Sequence, residues 1–307
     1  MTVMPPQSIG NSYQAWEYEQ PLPRGIVVAI DDSPESMDAF RMASAIAANR
    51  KWPLHAISVI SPLPSRNLLP DLTEQLPSGD VLRLDLRYAA IADKLAETGV
   101  EKAYTYEVTV GRPARSIVSA AECRGAELIV AGRTRHNPLD RFIGSETTLQ
   151  MMRISQVPVL AVPSMTSDLK QVVVATDFSE SSVKAARLAT ELMNRSGTLH
   201  LVFVDEPQDV VAGIPVTPHG RSPSDIVAWF RRTTALLSGS SALRVEPTVL
   251  TGKPVDVLLE FSERVGASMI AAGSHGYSRV ERFLLGSVST GLVRRAPCPI
   301  LVARSLL

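Results

Sequence analysis

Four blocks of this 307-residue chain occur twice, in the same order, 141–146 residues apart. VVAIDDSPES (27–36) returns as VVVATDFSES (172–181), setting Asp31 against Asp177 and Ser33 against Ser179. GRPARSIVSAAECRGAELIVAGR (111–133) returns as GKPVDVLLEFSERVGASMIAAGS (252–274). DRFIGS (140–145) returns as ERFLLGS (281–287), and VPVLAV (157–162) as CPILVA (298–303). Repetition over this span constrains the fold more than any local pattern does, because whatever one copy forms the chain must form twice.

Within each copy, short apolar runs alternate with amphipathic ones. In the first, IVVAI, HAISVI, AYTYEVTV, ELIVAG and VPVLAVP read as strands. SPESMDAFRMASAIAANR, GDVLRLDLRYAAIADKLAETG, RPARSIVSAAECR and a segment near 145–155 read as helices, with a serine cap on the first and a glycine ending the second. In the second copy the Pro-rich stretch EPQDVVAGIPVTPHGRSP delays the second helix. Strand–helix alternation with near-continuous Val/Ile/Leu strands specifies parallel sheets covered by helices on both faces. The expected fold is α/β: two tandem doubly wound domains, 24–163 and 169–305, joined by SMTSDLK and preceded by a polar N-terminal arm, 1–23.

Composition removes several classes of function. Lys+Arg and Asp+Glu are equal at 31 each, so no global field draws the chain to nucleic acid or anionic lipid. Trp16, Trp52 and Trp229 are scattered and make no stacking platform, so they read as packing residues. The apolar runs fall far short of the ~20 residues of a membrane span. Cys123 and Cys298 form no disulfide framework and no Cys/His group has zinc spacing; both read as small buried hydrophobes, and no metal site is expected. The first twenty residues lack a basic n-region and an apolar h-region, so the expected location is cytoplasmic.

Open parallel sheets bind ligands beyond the carboxyl ends of their strands. The first strands end at Asp31 and Asp177, where a carboxylate can accept from ribose hydroxyls or a base amine; a turn or helix-cap role fits the position equally well. After the fourth strand of the second copy comes Gly273-Ser-His275-Gly276, nine residues, and then Gly286-Ser287-Val288-Ser289 opening a helix. Glycines there let backbone N–H groups approach a phosphate, with the helix dipole favouring negative charge. An ordinary glycine turn and a Ser-capped helix would give the same letters.

No glycine follows either first strand, so there is no dinucleotide fingerprint, and no Gly-x4-Gly-Lys-Ser/Thr stretch is present. The Asp31-Asp32 pair would suit a phospho-accepting receiver domain. That reading needs an Asp ending the third strand and a Lys near the end of the fifth, which YEVTVGRP and VLAVPS lack.

Asp at the end of the first strand, followed later by Gly-x2-Gly-x9-Gly-Ser after the fourth, resembles the universal stress protein family. The resemblance covers both repeats, including the Gly-x-Pro element at 252–254. It implies a five-stranded parallel sheet in each domain, Rossmann-like or flavodoxin-like in the adenine nucleotide alpha hydrolase-like manner. In the family's nucleotide-binding branch it also implies an ATP site; Mg²⁺ would accompany ATP there, since it often bridges protein and phosphates. Carried over by residue, Thr176 and Asp177 would hold the nucleoside and the backbone near Phe203 would face the adenine. Gly273, His275 and Gly276 would line the phosphates, completed by Gly286, Ser287, Val288 and Ser289.

In the first copy Asp31, Gly132, Gly144 and Ser145 remain, but Arg135 replaces the second glycine. The loop is one residue shorter, 12 positions from Gly132 to Gly144 against 13 from Gly273 to Gly286, and Glu146 would repel a triphosphate. Arg133 and Arg135 could offset that repulsion by binding phosphate themselves. The chain is thus expected to bind adenine nucleotide mainly in its second domain, as a nucleotide-dependent sensor or regulator in stress response. A scaffold with structural or no nucleotide, and a weak ATPase, are the alternatives. The apolar closing strands, VPVLAVP and PCPILVA, would pair within one molecule as a pseudo-dimer of the two domains. The resemblance adds the possibility of a homodimer.

Overall fold

The computed structural model describes residues 25–61, 79–100, 103–133, 144–165, 168–194, 196–206, 208–211, 214–216, 222–237, 243–274 and 285–304. The N-terminal arm expected over 1–23 lies outside them.

The first repeat runs β1 (Gly25–Ala29), α1 (Pro34–Arg50), β2 (Leu54–Ile60), α2 (Gly79–Glu97), β3 (Tyr104–Val110), α3 (Pro113–Cys123), β4 (Ala126–Gly132), α4 (Gly144–Ile154) and β5 (Val159–Val162). The second runs β6 (Gln171–Ala175), α5 (Glu180–Leu192), β7 (Thr198–Asp205), a hairpin of β8 (Gln208–Val211) and β9 (Ile214–Val216), α6 (Pro223–Leu237), β10 (Arg244–Thr251), α7 (Pro254–Arg264), β11 (Met269–Gly273), α8 (Ser287–Arg295) and β12 (Ile300–Ala303). The hairpin lies in the Pro-rich stretch that reads from sequence as an interruption. Pro215 in β9 hides it, since proline demotes a strand reading.

Each repeat contributes five parallel strands, in the orders β3-β2-β1-β4-β5 and β10-β7-β6-β11-β12. The two sets join into one ten-stranded sheet through an antiparallel pairing of β5 with β12, Leu160 opposite Leu301. The apolar closing strands therefore lie at the centre of the sheet, and β3 and β10 form its outer edges. Pro247 in β10 is tolerated because an edge strand leaves one side of its ladder unpaired.

Period-2 alternation divides the core into two layers. Ile26, Val28, Val172 and Val174 face α1, α2, α5 and α6. Val27, Ala29, Val173 and Ala175 face α3, α4, α7 and α8. Both layers run through both repeats. Cys298 is buried as expected, but Cys123 is exposed. Helical spacing turns Ala114, Ile117, Val118 and Ala121 of α3 inward, which leaves Cys123, two residues on, facing solvent.

Candidate functional site

In the order 3-2-1-4-5 the chain reverses direction across the sheet between the first and fourth strands, so the crevice lies beyond β1 and β4, and beyond β6 and β11. Alternation past Ala29 and Ala175 brings Asp31 and Asp177 to the face covered by α3, α4, α7 and α8. Asp31 Oδ1 accepts from the Ser33 N–H at 2.9 Å and Asp177 Oδ1 from the Ser179 N–H at 3.0 Å, turning the chain into the next helix. Ser33 and Ser179 then cap α1 and α5, accepting from Ser36 N and Ser182 N. Each aspartate thus spends one oxygen on the turn, and its Oδ2 has no partner among the described residues.

The residue between aspartate and cap differs. Phe178 adopts φ 65°, unusual for a side chain of its size. Its ring stacks on Phe203 at 5.5 Å and meets Trp229 and Phe230 at 5.4 and 5.1 Å, which holds the turn. The opposite number in the first repeat, Asp32, pairs with Arg87 and Lys94 of α2. Burial raises its pKa, but those two cations outweigh burial and hold the carboxyl below its ordinary value.

Thr176, expected in the nucleoside pocket, has its hydroxyl engaged in the turn, whereas Phe203, expected to present only its backbone there, turns its ring to the other face. Thr176 is buried; its Oγ1 accepts from the Phe178 N–H at 2.9 Å and lies 3.1 Å from Ser182 Oγ, so it braces the turn. The Phe203 ring lies in the layer under α5 and α6, on the sheet face opposite Asp177. Val202 and Val204 are the β7 side chains on the aspartate's face.

The strand-ending glycines have a packing cause. A Cβ on Gly273 would stand 2.7 Å from the backbone nitrogen of Ser182, and one on Gly132 would stand 2.6 Å from that of Ser36. Neither contact leaves room for a side chain, because the first turn of α5 or α1 packs directly on the strand. The carbonyls of these glycines point the other way. Gly273 O accepts from Ser289 Oγ at 2.5 Å, and Gly132 O from Thr148 Oγ1 at 3.1 Å. Ser289, expected to offer its hydroxyl to a phosphate, gives it to the strand instead.

Gly286 caps α8 in an extended conformation with no side-chain cap, its N–H held by Ser274 O at 2.7 Å. The N–H groups of Ser287, Val288 and Ser289 follow, and the Ser287 side chain is exposed. In the first repeat Gly144 is already inside α4, and Glu146 is exposed in its first turn. A cavity of about 70 Å³ sits there, lined by Asp31, Ser33, Pro113, Gly132, Thr147, Thr148 and Met151 among others. His275, Gly276 and Arg135 lie outside the described residues, as does the side chain of Ser145.

Arg133 corrects one expectation. It is 2% exposed and directs Nη2 to the carbonyl oxygen of Ala296 in the second repeat, so it is committed to packing between the repeats and is not a phosphate ligand. Sequence reasoning also passed over Thr148 and the paired serines Ser36 and Ser182. Their signal is the repeat itself, which retains a hydroxyl at each of these places.

Among the described residues, no helix is long and apolar enough to cross a membrane. The family model for the universal stress protein family matches residues 23–163 and again 169–304. A universal stress protein of Mycolicibacterium smegmatis is 25% identical over 290 residues, 91% of this chain and 97% of that protein. One from Mycobacterium tuberculosis is 28% identical over 146 residues, 45% of this chain and 99% of that protein. Among solved structures, a universal stress protein from Archaeoglobus fulgidus superposes with TM-score 0.61 at 20% identity, covering 91% of this chain and 98% of that one. Two family matches, one per repeat and each on the same strand order, leave one conclusion: the chain belongs to the universal stress protein family, in tandem two-domain form.

Proposed function

We propose that this protein binds ATP, chiefly in its second domain, and acts in the cytoplasm as a nucleotide-dependent regulator in stress response. The observation that carries this reading is the start of α8. α1 and α5 begin with serine side chains bonded back to their own backbones, and the uncapped α3 and α7 begin with a proline that has no N–H to satisfy. α8 begins at Gly286 with neither side-chain cap nor proline. Among the described residues its first N–H groups are orphan donors at the positive end of the helix dipole, the arrangement an anionic oxygen completes.

In this reading Ser287, Val288 and Ser289 hold phosphate through backbone N–H groups, and Ser287 adds its hydroxyl. Asp177 accepts from the ribose through the oxygen its turn leaves over. The part of Phe203 that meets the base is backbone, since its ring is on the other face. His275 and Gly276 would close the cradle. Mg²⁺ would come as the companion of ATP and would offset phosphate charge in this cradle. The first domain takes no triphosphate in this reading: Arg133 is turned away and Glu146 stands in the first turn of α4. The β5–β12 pairing supports the two domains working as an intramolecular pseudo-dimer.

Two measurements test the proposal. Mass spectrometry of the purified chain should find an adenine nucleotide, and calorimetry should show ATP binding with Mg²⁺ present. Gly276→Arg, which copies Arg135 of the first loop, should abolish that binding. Absence of any bound or bindable adenine nucleotide would overturn the reading in favour of a scaffold. Release of phosphate over hours would make the protein a slow ATPase built on the same site.

A further inference from the structure

Among the described residues three arginines cross between the repeats, and each donates to a backbone carbonyl at the C-terminal end of a helix in the opposite repeat. Arg50, the last residue of α1, reaches the α5 C-cap Met193 at 3.1 Å. Arg304, just after β12, reaches the carbonyl of Arg153 in the last turn of α4. Arg133, just after β4, reaches the α8 C-cap Ala296 at 2.5 Å. The last carbonyls of a helix lack intrahelical partners and form the negative end of its dipole, so a guanidinium is the complementary group.

Arg133 differs from the other two in depth and in place. It is among the largest fully buried side chains. Among the described residues its Nε is buried without a hydrogen bond, so losing the Nη2 contact as well would leave more of a buried charge unsatisfied, which costs more than breaking an exposed contact. Its backbone N–H donates to Val162 O at 2.8 Å, directly after Gly132, whose carbonyl accepts from Thr148. The main chain of Arg133 is therefore continuous with the wall of the first cleft.

The same chain position in the second repeat is Ser274, whose carbonyl holds the N–H of Gly286 at 2.7 Å. Two equivalent residues thus grip one helix: Ser274 fixes the start of α8 and Arg133 fixes its end. At 1.5 Å per residue the nine-residue α8 is about 13 Å long. A rod that short transmits a shift at Ala296 to Ser287, because its own hydrogen bonds resist bending.

We propose that Arg133 is a positioning residue for the phosphate-binding turn of α8, and so ties the first cleft to nucleotide affinity in the second domain. This rests on the reading of the second domain as the nucleotide site. A ligand or mutation that displaces the Gly132–Arg133 backbone changes where α8 presents its N–H groups.

The test uses the full chain with Arg133→Met, which keeps a long apolar stem and removes the donors, and Arg133→Lys, which keeps the charge without the planar fork. Arg50→Met is the control, since it also crosses between repeats but grips α5. Calorimetry should show ATP–Mg²⁺ binding weakened about twofold to thirtyfold in Arg133→Met, the range of long-range coupling, and partly restored in Arg133→Lys. Without nucleotide, the backbone amide resonances of Ser287 and Ser289 should move in Arg133→Met and stay in place in Arg50→Met.

Unchanged affinity and unchanged Ser287 and Ser289 resonances in a folded Arg133→Met protein would overturn the proposal. Equal effects from Arg50→Met would also overturn it, by reducing the effect to general loosening. If Arg133→Met does not fold, the same two readouts on Arg133→Lys decide. If the unaltered protein binds no adenine nucleotide, the functional reading fails, and the resonances alone still decide whether Arg133 positions α8.

Discussion

Ser289 Oγ donates to the carbonyl oxygen of Gly273, sixteen residues earlier in the chain, and Thr148 Oγ1 donates to Gly132 across the same separation. The two glycine-to-glycine loops differ in length, so the conserved contact falls three residues after Gly286 but four after Gly144. The first repeat absorbs its missing residue by starting the helix at the glycine, while α8 keeps Gly286 outside as a cap. The asymmetry between the loops is thus a difference in what the helix start leaves available. Ser289→Ala removes the bond and leaves a buried carbonyl without its donor, which costs about 1–3 kcal/mol. Urea unfolding of the nucleotide-free protein should show that loss, and if α8 holds nucleotide as proposed, ATP affinity should fall with it as α8 loosens from β11.

Gly273→Ala separates packing from ligand binding. The new methyl would stand 2.7 Å from Ser182 N with the α5 backbone behind it, and that helix cannot retreat without leaving the core. Overpacking of this kind costs about 1–3 kcal/mol. The expected result is a lower unfolding midpoint before any nucleotide is added, with Gly132→Ala behaving alike in the first repeat. A Gly273→Ala protein that is fully stable without nucleotide and weak only in binding it would show that the glycine serves the ligand alone.

Much of this was legible in the sequence, for reasons that also explain what was not. The fold could be read because the repeat preserves local signals, such as Ser33 and Ser179 as caps and Pro113 and Pro254 at helix starts. Asp31 and Asp177 could be placed at the crevice because strand ends follow from apolar runs. The reason for Gly273 could not, since one letter serves both a close helix and a close phosphate. The side of Phe203 was available from alternation: counting from Val202 puts its ring opposite the site. The partner of Arg133 is 163 residues away and belongs to an interface that no local pattern encodes. Cys123 shows the converse, a residue type usually buried but turned outward by its place on α3.

The β5–β12 junction should be a major source of cooperativity between the repeats. Leu160 and Leu301 are directly opposed, both 0% exposed, and both lie in the layer beneath α1 and α5. Leu160→Ala and Leu301→Ala should each cost about 2–5 kcal/mol. As direct neighbours they should combine non-additively. Urea unfolding followed by fluorescence and circular dichroism should be one coincident transition in the unaltered chain. In the double variant the two repeats should melt separately; a single unchanged transition would mean that the arginines, not the strands, carry the coupling.

His200 gives the second repeat a built-in acid sensitivity. It is buried on β7 with Nε2 2.8 Å from Gln171 Oε1 and Nδ1 3.3 Å from Glu246, which also pairs with Arg244. Burial lowers its pKa; Glu246 opposes that and Arg244 adds to it, and the net direction is down. The unfolded chain, with histidine at its ordinary value of about 6.5, therefore takes up a proton at a higher pH than the folded one. The contribution to stability is complete above that value and is lost as pH falls through it toward the lower folded pKa, after which the dependence flattens. His200→Asn should flatten the same window while lowering stability at neutral pH through the lost ring packing against Phe261. Chemical denaturation at several pH values from neutral downward measures both effects. A His200→Asn protein with the same acid slope as the unaltered chain would place the sensitivity elsewhere.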